Sequence, residues 1–179
     1  LEFSKVTSKS KRLEPVNLNE IVSETLGDLE MRIQQTKGSI ITGNLPTIGA
    51  DKLQMRQLFQ NLIGNALKFH KENEAPRVLI NSRMTIEGFW EIKIQDNGIG
   101  FDMKYLERIL KPFQRLHPRG AYEGSGMGLA ICKKIVENHG GKLTAKSSLG
   151  VGTTFIIVLP EKAWKEQDVV AEKSEADQP

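Results

Sequence analysis

Asn61, Asn65, Lys68 and Phe69 recur at spacings that put all four on one face of a helix. Mg²⁺ takes oxygen ligands, keeps several waters and leaves most of the charge to phosphates, so the neutral Asn65 amide would serve as a single protein ligand. Lys68 could hold a phosphate oxygen. Taken alone, the stripe reads equally well as a solvated face beside a packed aromatic. A second stretch, Asp96-Asn97-Gly98-Ile99-Gly100-Phe101-Asp102, follows a segment in which Trp90, Ile92, Ile94 and Asp96 share one parity. Asp96 therefore points with the core residues, and a buried carboxylate is costly without a partner. It would accept from the exocyclic amine of adenine and repel the carbonyl of guanine. Gly98 and Gly100 permit close backbone approach to a ligand, although Asp-Asn-Gly is also common in plain turns.

Two further stretches are glycine-rich. Gly124-Ser125-Gly126-Met127-Gly128 stands immediately before a helical pattern, where exposed N–H groups and a helix N-terminus can hold phosphate. The spacing is not the dinucleotide fingerprint, and no G-x-x-x-x-G-K-[ST] stretch exists anywhere in the chain. By itself this run reads as weakly as a flexible hinge. Gly150-Val151-Gly152-Thr153-Thr154-Phe155 turns into the last strand pattern and could bring a threonine hydroxyl beside the Asp96 carboxylate, though alone it reads as an ordinary hairpin turn.

These stretches need elements to position them. Asn17 can cap a long amphipathic helix carrying Leu18, Ile21, Val22, Leu26, Leu29 and Ile33 until Gly38, after Pro15 breaks the chain. A short strand over 39–42 is followed by a second helix that Asp51 can cap, with Leu53, Leu58, Leu62, Ile63 and Ala66 at helical spacing. Residues 77–96 alternate as a hairpin turning near Glu87-Gly88. Residues 98–126 are longer than an ordinary connection and contain a short helical stretch over 103–110, the pattern of a lid. A third helix over 128–138 stops at Gly140-Gly141, and strands over 142–147 and 153–159 finish the pattern. Residues 1–12 resemble the stub of a preceding helix, and 161–179 read as a polar, disordered tail.

Composition narrows the function classes. A chain of 179 residues, 39% hydrophobic, supports one core. The charge of +3 comes from 25 basic and 22 acidic residues in mixture, without the basic stripe that nucleic-acid binding demands. No apolar run is long enough to span a bilayer, so membrane contact is not expected. Cys132 is the single cysteine, which excludes an internal disulfide or cysteine zinc cluster and favours a cytoplasmic setting. It reads as a small core residue.

In this order, the four stretches resemble the N, G1, G2 and G3 boxes of the Bergerat-fold (GHKL) ATPases, specifically the catalytic domains of sensor histidine kinases. Phe113, within Lys111-Pro112-Phe113-Gln114-Arg115, looks like that family's F box, and the resemblance covers residues 15–160. The wording Phe113-Gln114-Arg115-Leu116-His117, Tyr122-Glu123-Gly124-Ser125-Gly126 and Ala130-Ile131-Cys132-Lys133-Lys134-Ile135-Val136 is similar to kinases linked to phytochrome or PAS sensor modules. The resemblance implies an α/β two-layer sandwich, a mixed and mostly antiparallel sheet on about three helices with an ATP lid. It implies ATP and Mg²⁺ as cofactors, Asn65 as metal ligand, Lys68 and Arg115 near the phosphates, and Phe69 stacked on adenine with Asp96 as its acceptor. Gly98, Gly100, Phe113, Gly124, Ser125, Gly126, Met127, Gly128, Leu129, Thr153 and Thr154 complete the implied pocket and lid.

The implied partners are a dimerisation and histidine-acceptor domain, of which residues 1–14 would be the end, and the receiver domain of a response regulator, with the full-length protein a homodimer. His70, His117 and His139 lack the acidic neighbour that follows the family's acceptor histidine, and each reads as a surface or lid histidine. Where this chain has Asn61, hydrolysing relatives such as gyrase, Hsp90 and MutL carry a glutamate base; an amide cannot accept a proton, which favours a kinase over an ATPase. A hydrolysing ATPase, a non-catalytic nucleotide-binding module and an anti-sigma type serine kinase are the competing readings.

Overall fold

Asn17 turns the chain into its first helix, accepting the Asn19 N–H at 3.0 Å in the computed structural model, which describes residues 13–116 and 124–161. The expected stub, the expected tail beyond Glu161 and the lid segment 117–123, which contains His117, lie outside the described residues. Helix α1 (Leu18–Asp28) buries Leu18, Ile21, Val22 and Thr25. The single long helix expected up to Gly38 is two: the backbone leaves helical geometry at Leu29 (φ −97°, ψ 3°) before α2 (Glu30–Thr36). The reason lies in burial. α2 contributes no buried residue, so nothing rewards the chain for continuing the axis of α1.

Pro15 does not break the chain but sits inside β1 (Glu14–Asn17), opposite Gly49 of β3 (Thr47–Ala50). In a two-stranded ribbon every strand has an open edge, which is where proline is tolerated. Helix α3 (Lys52–Lys68) is capped by Asp51, whose carboxylate accepts the Gln54 N–H at 3.0 Å, and it is the central helix. Its Met55, Leu58, Phe59, Leu62, Ile63 and Leu67 are fully buried, each worth about 1.5–3 kcal/mol of transfer free energy.

The main sheet runs in the order β2 (Ser39–Thr42), β4 (Arg77–Met84), β5 (Phe89–Asp96), β7 (Gly152–Pro160), β6 (Lys142–Ser148). Only β2 and β4 pair parallel; the other neighbours are antiparallel. One face, carrying Val78, Ile80, Ile92, Ile94, Leu143, Phe155, Ile157 and Leu159, joins the helices in a single core. The other parity leaves Ile41 and Leu79 exposed. This is the expected mixed, mostly antiparallel two-layer sandwich. The 103–110 stretch is a 3-10 turn (Met103–Tyr105) followed by α4 (Leu106–Ile109), with Asp102 accepting the Lys104 N–H.

Helix α5 (Gly128–Asn138) packs Ile131, Cys132, Ile135 and Val136 inward. His139, expected at the surface, is 2% exposed. Its Nε2 accepts the Asp51 N–H at 3.0 Å and its Nδ1 lies 2.7 Å from the Ile135 carbonyl, so the neutral ring, protonated on Nδ1, pins the end of α5 to the start of α3. Helical periodicity could not show this, because the partner lies 88 residues away.

Candidate nucleotide site

The loop after β5 is fastened to the end of α3. Phe69, the residue that ends α3, presents its carbonyl to the Ile99 N–H at 2.9 Å. A Cβ at Gly98 would run into that same carbonyl oxygen, so the approach requires glycine. Gly100, at φ 63°, is held equally closely against the Ser148 carbonyl. Asn97 closes the seam. Its side chain accepts the Arg77 N–H at 2.7 Å and donates to Glu74 at 2.7 Å. Glu74 is held down to about 2 by its bonds to Lys71, Asn97 and Arg77.

Asp96 is the carboxylate so positioned. Its Oδ1 accepts the Gly98 N–H at 2.8 Å and the Thr153 N–H at 3.1 Å, and among the described residues no donor reaches Oδ2. Burial raises its pKa above the ordinary 3.8, and the two backbone bonds only partly oppose this. One oxygen is thus anchored, while the residue lines a cavity with room for an external donor.

That cavity also takes in Asn65, Lys68, Phe69, Gly100, Arg115, Gly124, Gly126, Leu129 and Thr153. The Lys68 ammonium lies 4.3 Å from the Phe69 ring centroid. Arg115 Nη1 donates to the Gly124 carbonyl at 2.8 Å, and a Cβ on Gly124 would stand 3.2 Å from Lys68 Nζ. Two cationic side chains therefore meet at the glycine-rich run, in the cavity that Asp96 also lines. The set of lining groups suits a ligand that carries both an amine-bearing ring and anionic groups.

Seven expected site residues do not line the cavity. Asn61 lies half-buried between α3 and α5, its amide donating to the Gly128 carbonyl across a long 3.5 Å. Gly128 in turn sits against the Asn61 side chain. Gly98 acts from behind, through Phe69. Ser125 accepts the Met127 N–H at 3.3 Å, so both serve the turn into α5. Phe113 is 75% exposed at φ 61° and points to solvent. Thr154 has the parity opposite to Thr153 and faces the bare side of the sheet, near Gln95 and Lys146.

Ile99, Phe101, Ile109, Gln114, Leu116 and Phe155 line the cavity and were not singled out from the sequence. Phe155 was within reach, because it shares the parity of Thr153. Ile109 was not, because its placement depends on how the 98–116 loop folds back. Cys132 is fully buried and its thiol is pushed up to about 12 by burial, which leaves it protonated and inert.

Comparison with known proteins agrees with this geometry. Residues 50–163 match the family described as histidine kinase-, DNA gyrase B- and HSP90-like ATPases. Cyanobacterial phytochrome A of Nostoc is 44% identical over 160 residues, covering 89% of this chain and 21% of that protein, so the chain spans about a fifth of that relative. Full-length ShkA, solved in complex with AMPPNP, superposes with a TM-score of 0.74 at 27% identity, covering 88% of this chain and 33% of that one. The catalytic domain of histidine kinase ThkA superposes with a TM-score of 0.70 at 26% identity, covering 84% of this chain and 97% of that one. Among the described residues no helix is long and apolar enough to cross a membrane. With motifs, sheet order and cavity in agreement, the chain belongs to the histidine kinase-, DNA gyrase B- and HSP90-like ATPase family, and within it is the Bergerat-fold catalytic domain of a sensor histidine kinase.

Proposed function

We propose that this domain binds ATP with Mg²⁺ and delivers the γ-phosphoryl group to a histidine on a separate dimerisation domain, for relay to the receiver domain of a response regulator. The observation that carries the reading is one cavity lined both by a half-satisfied carboxylate, Asp96, and by two cationic side chains, Lys68 and Arg115. Asp96 Oδ2 would take the adenine amine, and Phe69 with Ile99 and Phe155 would flank the ring. Lys68 and Arg115 would hold the phosphates, where phosphoryl transfer needs positioning and charge neutralisation more than covalent chemistry.

The donor set fits Mg²⁺ held mainly by phosphates. Among the described residues no group of three or more His, Cys, Asp or Glu could form a metal cage, and Asn65 offers one neutral oxygen in the cavity. Mg²⁺, when bound, would neutralise the phosphate oxygens. Transfer breaks the bond from the γ-phosphorus to its bridging oxygen, forms a P–N bond to the imidazole lone pair, and releases ADP. Asn61 supplies no base for water, which supports transfer over hydrolysis.

The test has two stages. Calorimetric titration with Mg²⁺·ATP and Mg²⁺·GTP should give ATP-selective binding. The domain is then mixed with the dimerisation domain of the full-length protein and γ-labelled ATP, and acid-labile label should appear on that domain. Binding without transfer would reduce the protein to a nucleotide-binding module, and rapid phosphate release without an acceptor would establish a hydrolase instead.

A further inference from the structure

Asp96 lines the cavity, whereas its neighbour Asn97 does not and is turned instead to the segment that leads into β4. Asn97 Oδ1 accepts the Arg77 N–H at 2.7 Å, and Nδ2 donates to Glu74 Oε1 at 2.7 Å and to the Ala75 carbonyl at 3.2 Å. The two ends of an amide differ, so the network admits one orientation: turned over, the amide would set NH₂ against the Arg77 N–H and its oxygen against two acceptors.

Glu74 belongs to none of the motifs that form the site. Its Oε1 also accepts from Arg77 Nη2 at 3.0 Å, and its Oε2 pairs with Lys71 Nζ at 2.9 Å. One carboxylate thereby ties the segment after α3, the start of β4 and the residue after β5. Its bonds to Lys71, Asn97 and Arg77 hold its pKa at about 2, so it stays charged at neutral pH. Exposed ion pairs of this kind contribute little to stability. What the cluster can do is fix a position.

The position concerned is that of the loop carrying Gly98. Asp96 Oδ1 is held by two donors, the Thr153 N–H in β7 and the Gly98 N–H in the loop. Gly98 stands between two anchors, Asn97 before it and the Ile99 N–H on the Phe69 carbonyl after it. With Asn97 untied, the Gly98 N–H can swing away from Oδ1, and the carboxylate can turn about its remaining bond to Thr153. Oδ2 then leaves the place where a ligand amine would meet it. We propose that Asn97 is a positioning residue which, anchored on Glu74 behind the cavity, holds the Asp96 carboxylate in the orientation that receives the ligand. The inference rests on the ATP reading above and adds to it a clamp outside the cavity.

The experiment measures binding by calorimetry for ATP and for purine ribonucleoside triphosphate, which is ATP without its exocyclic amine, so the ratio of affinities reads the Asp96 contact alone. Wild type should prefer ATP roughly 10- to 150-fold, the scale of one hydrogen bond to a charged group. In Asn97→Asp a carboxylate oxygen meets Glu74 Oε1 where the amide donated, and the ratio should fall toward one while binding carried by the phosphates persists. Adding Glu74→Gln to that variant supplies a new amide that can donate to the aspartate, and the ratio should recover. A merely structural role would lower the melting temperature of Asn97→Asp and leave the ratio intact, which overturns the proposal, as does a lost ratio that the second substitution fails to restore. Should Asn97→Asp not fold, Glu74→Ala must lower the ratio, and a wild-type ratio there overturns the proposal too. Absence of ATP binding in wild type, or a wild-type ratio of one, would instead sink the site reading itself and the clamp with it.

Discussion

Asp96→Asn separates the work that this carboxylate does for a ligand from the work that it does for the fold. In the free domain Oδ1 accepts two backbone N–H groups, from Gly98 and Thr153, and an asparagine oxygen can accept both. The substitution also removes a charge that burial disfavours, as the raised pKa of Asp96 shows. The free domain should therefore melt no lower than wild type, and each kcal/mol of relief would raise Tm by about 2–4 °C. Binding should move the other way. Oδ2 becomes an NH₂ group facing the adenine amine, donor against donor, and a hydrogen bond to a charged group worth about 1.5–3 kcal/mol is lost. At about 1.4 kcal/mol per factor of ten, ATP affinity should fall roughly 10- to 150-fold while GTP loses far less. Calorimetry with both nucleotides, alongside thermal melting, measures each side. A variant that binds ATP as well as wild type, or one that loses binding only because it melts several degrees lower, would refute the reasoning.

ATP affinity should weaken on acidification, beginning at a higher pH than an ordinary carboxylate at 3.8 would give, because binding requires the charged form and burial raises the Asp96 pKa. The sign for the free domain is opposite: the Asp96 share of stability is present at low pH and is lost as pH rises through its raised pKa. Titrations of wild type against Asp96→Asn isolate the affinity effect, since the variant should lack this component. His139→Ala should destabilise the domain by about 2–4 kcal/mol, through an unsatisfied Asp51 N–H and a cavity between α3 and α5, as read by urea unfolding. Cys132 should react with an aromatic disulfide reagent only after unfolding, because its thiol is buried and protonated; fast labelling of the native domain would contradict this.

Asp96 was legible because β-strand parity is a local rule: two residues past the buried Ile94, it had to share that side of the sheet. The Asp51 and Asn17 caps, the β4–β5 hairpin and α5 were legible for the same reason, as each is set by neighbours a few residues away. The break at Leu29 and the β1–β3 ribbon were not, because they depend on what α1 and α2 pack against and on pairing between distant four-residue segments.

The choice between Thr153 and Thr154 shows where local rules stop. Both follow the glycine turn, and only the register that sets Gln95 opposite Thr154 turns the Thr153 N–H to Asp96 and leaves Thr154 on the bare face. Asn61, Phe113 and His139 likewise carried the right residue types in a pattern that left their surroundings open. The sequence by itself determined the motifs, their order and the element that bears each one, because these follow from periodicity and turn chemistry within a few residues. Only the tertiary structure decided which side chains share the cavity, because that depends on how the end of α3, the loop after β5 and the β6–β7 turn are fastened together, through contacts between residues far apart in the chain.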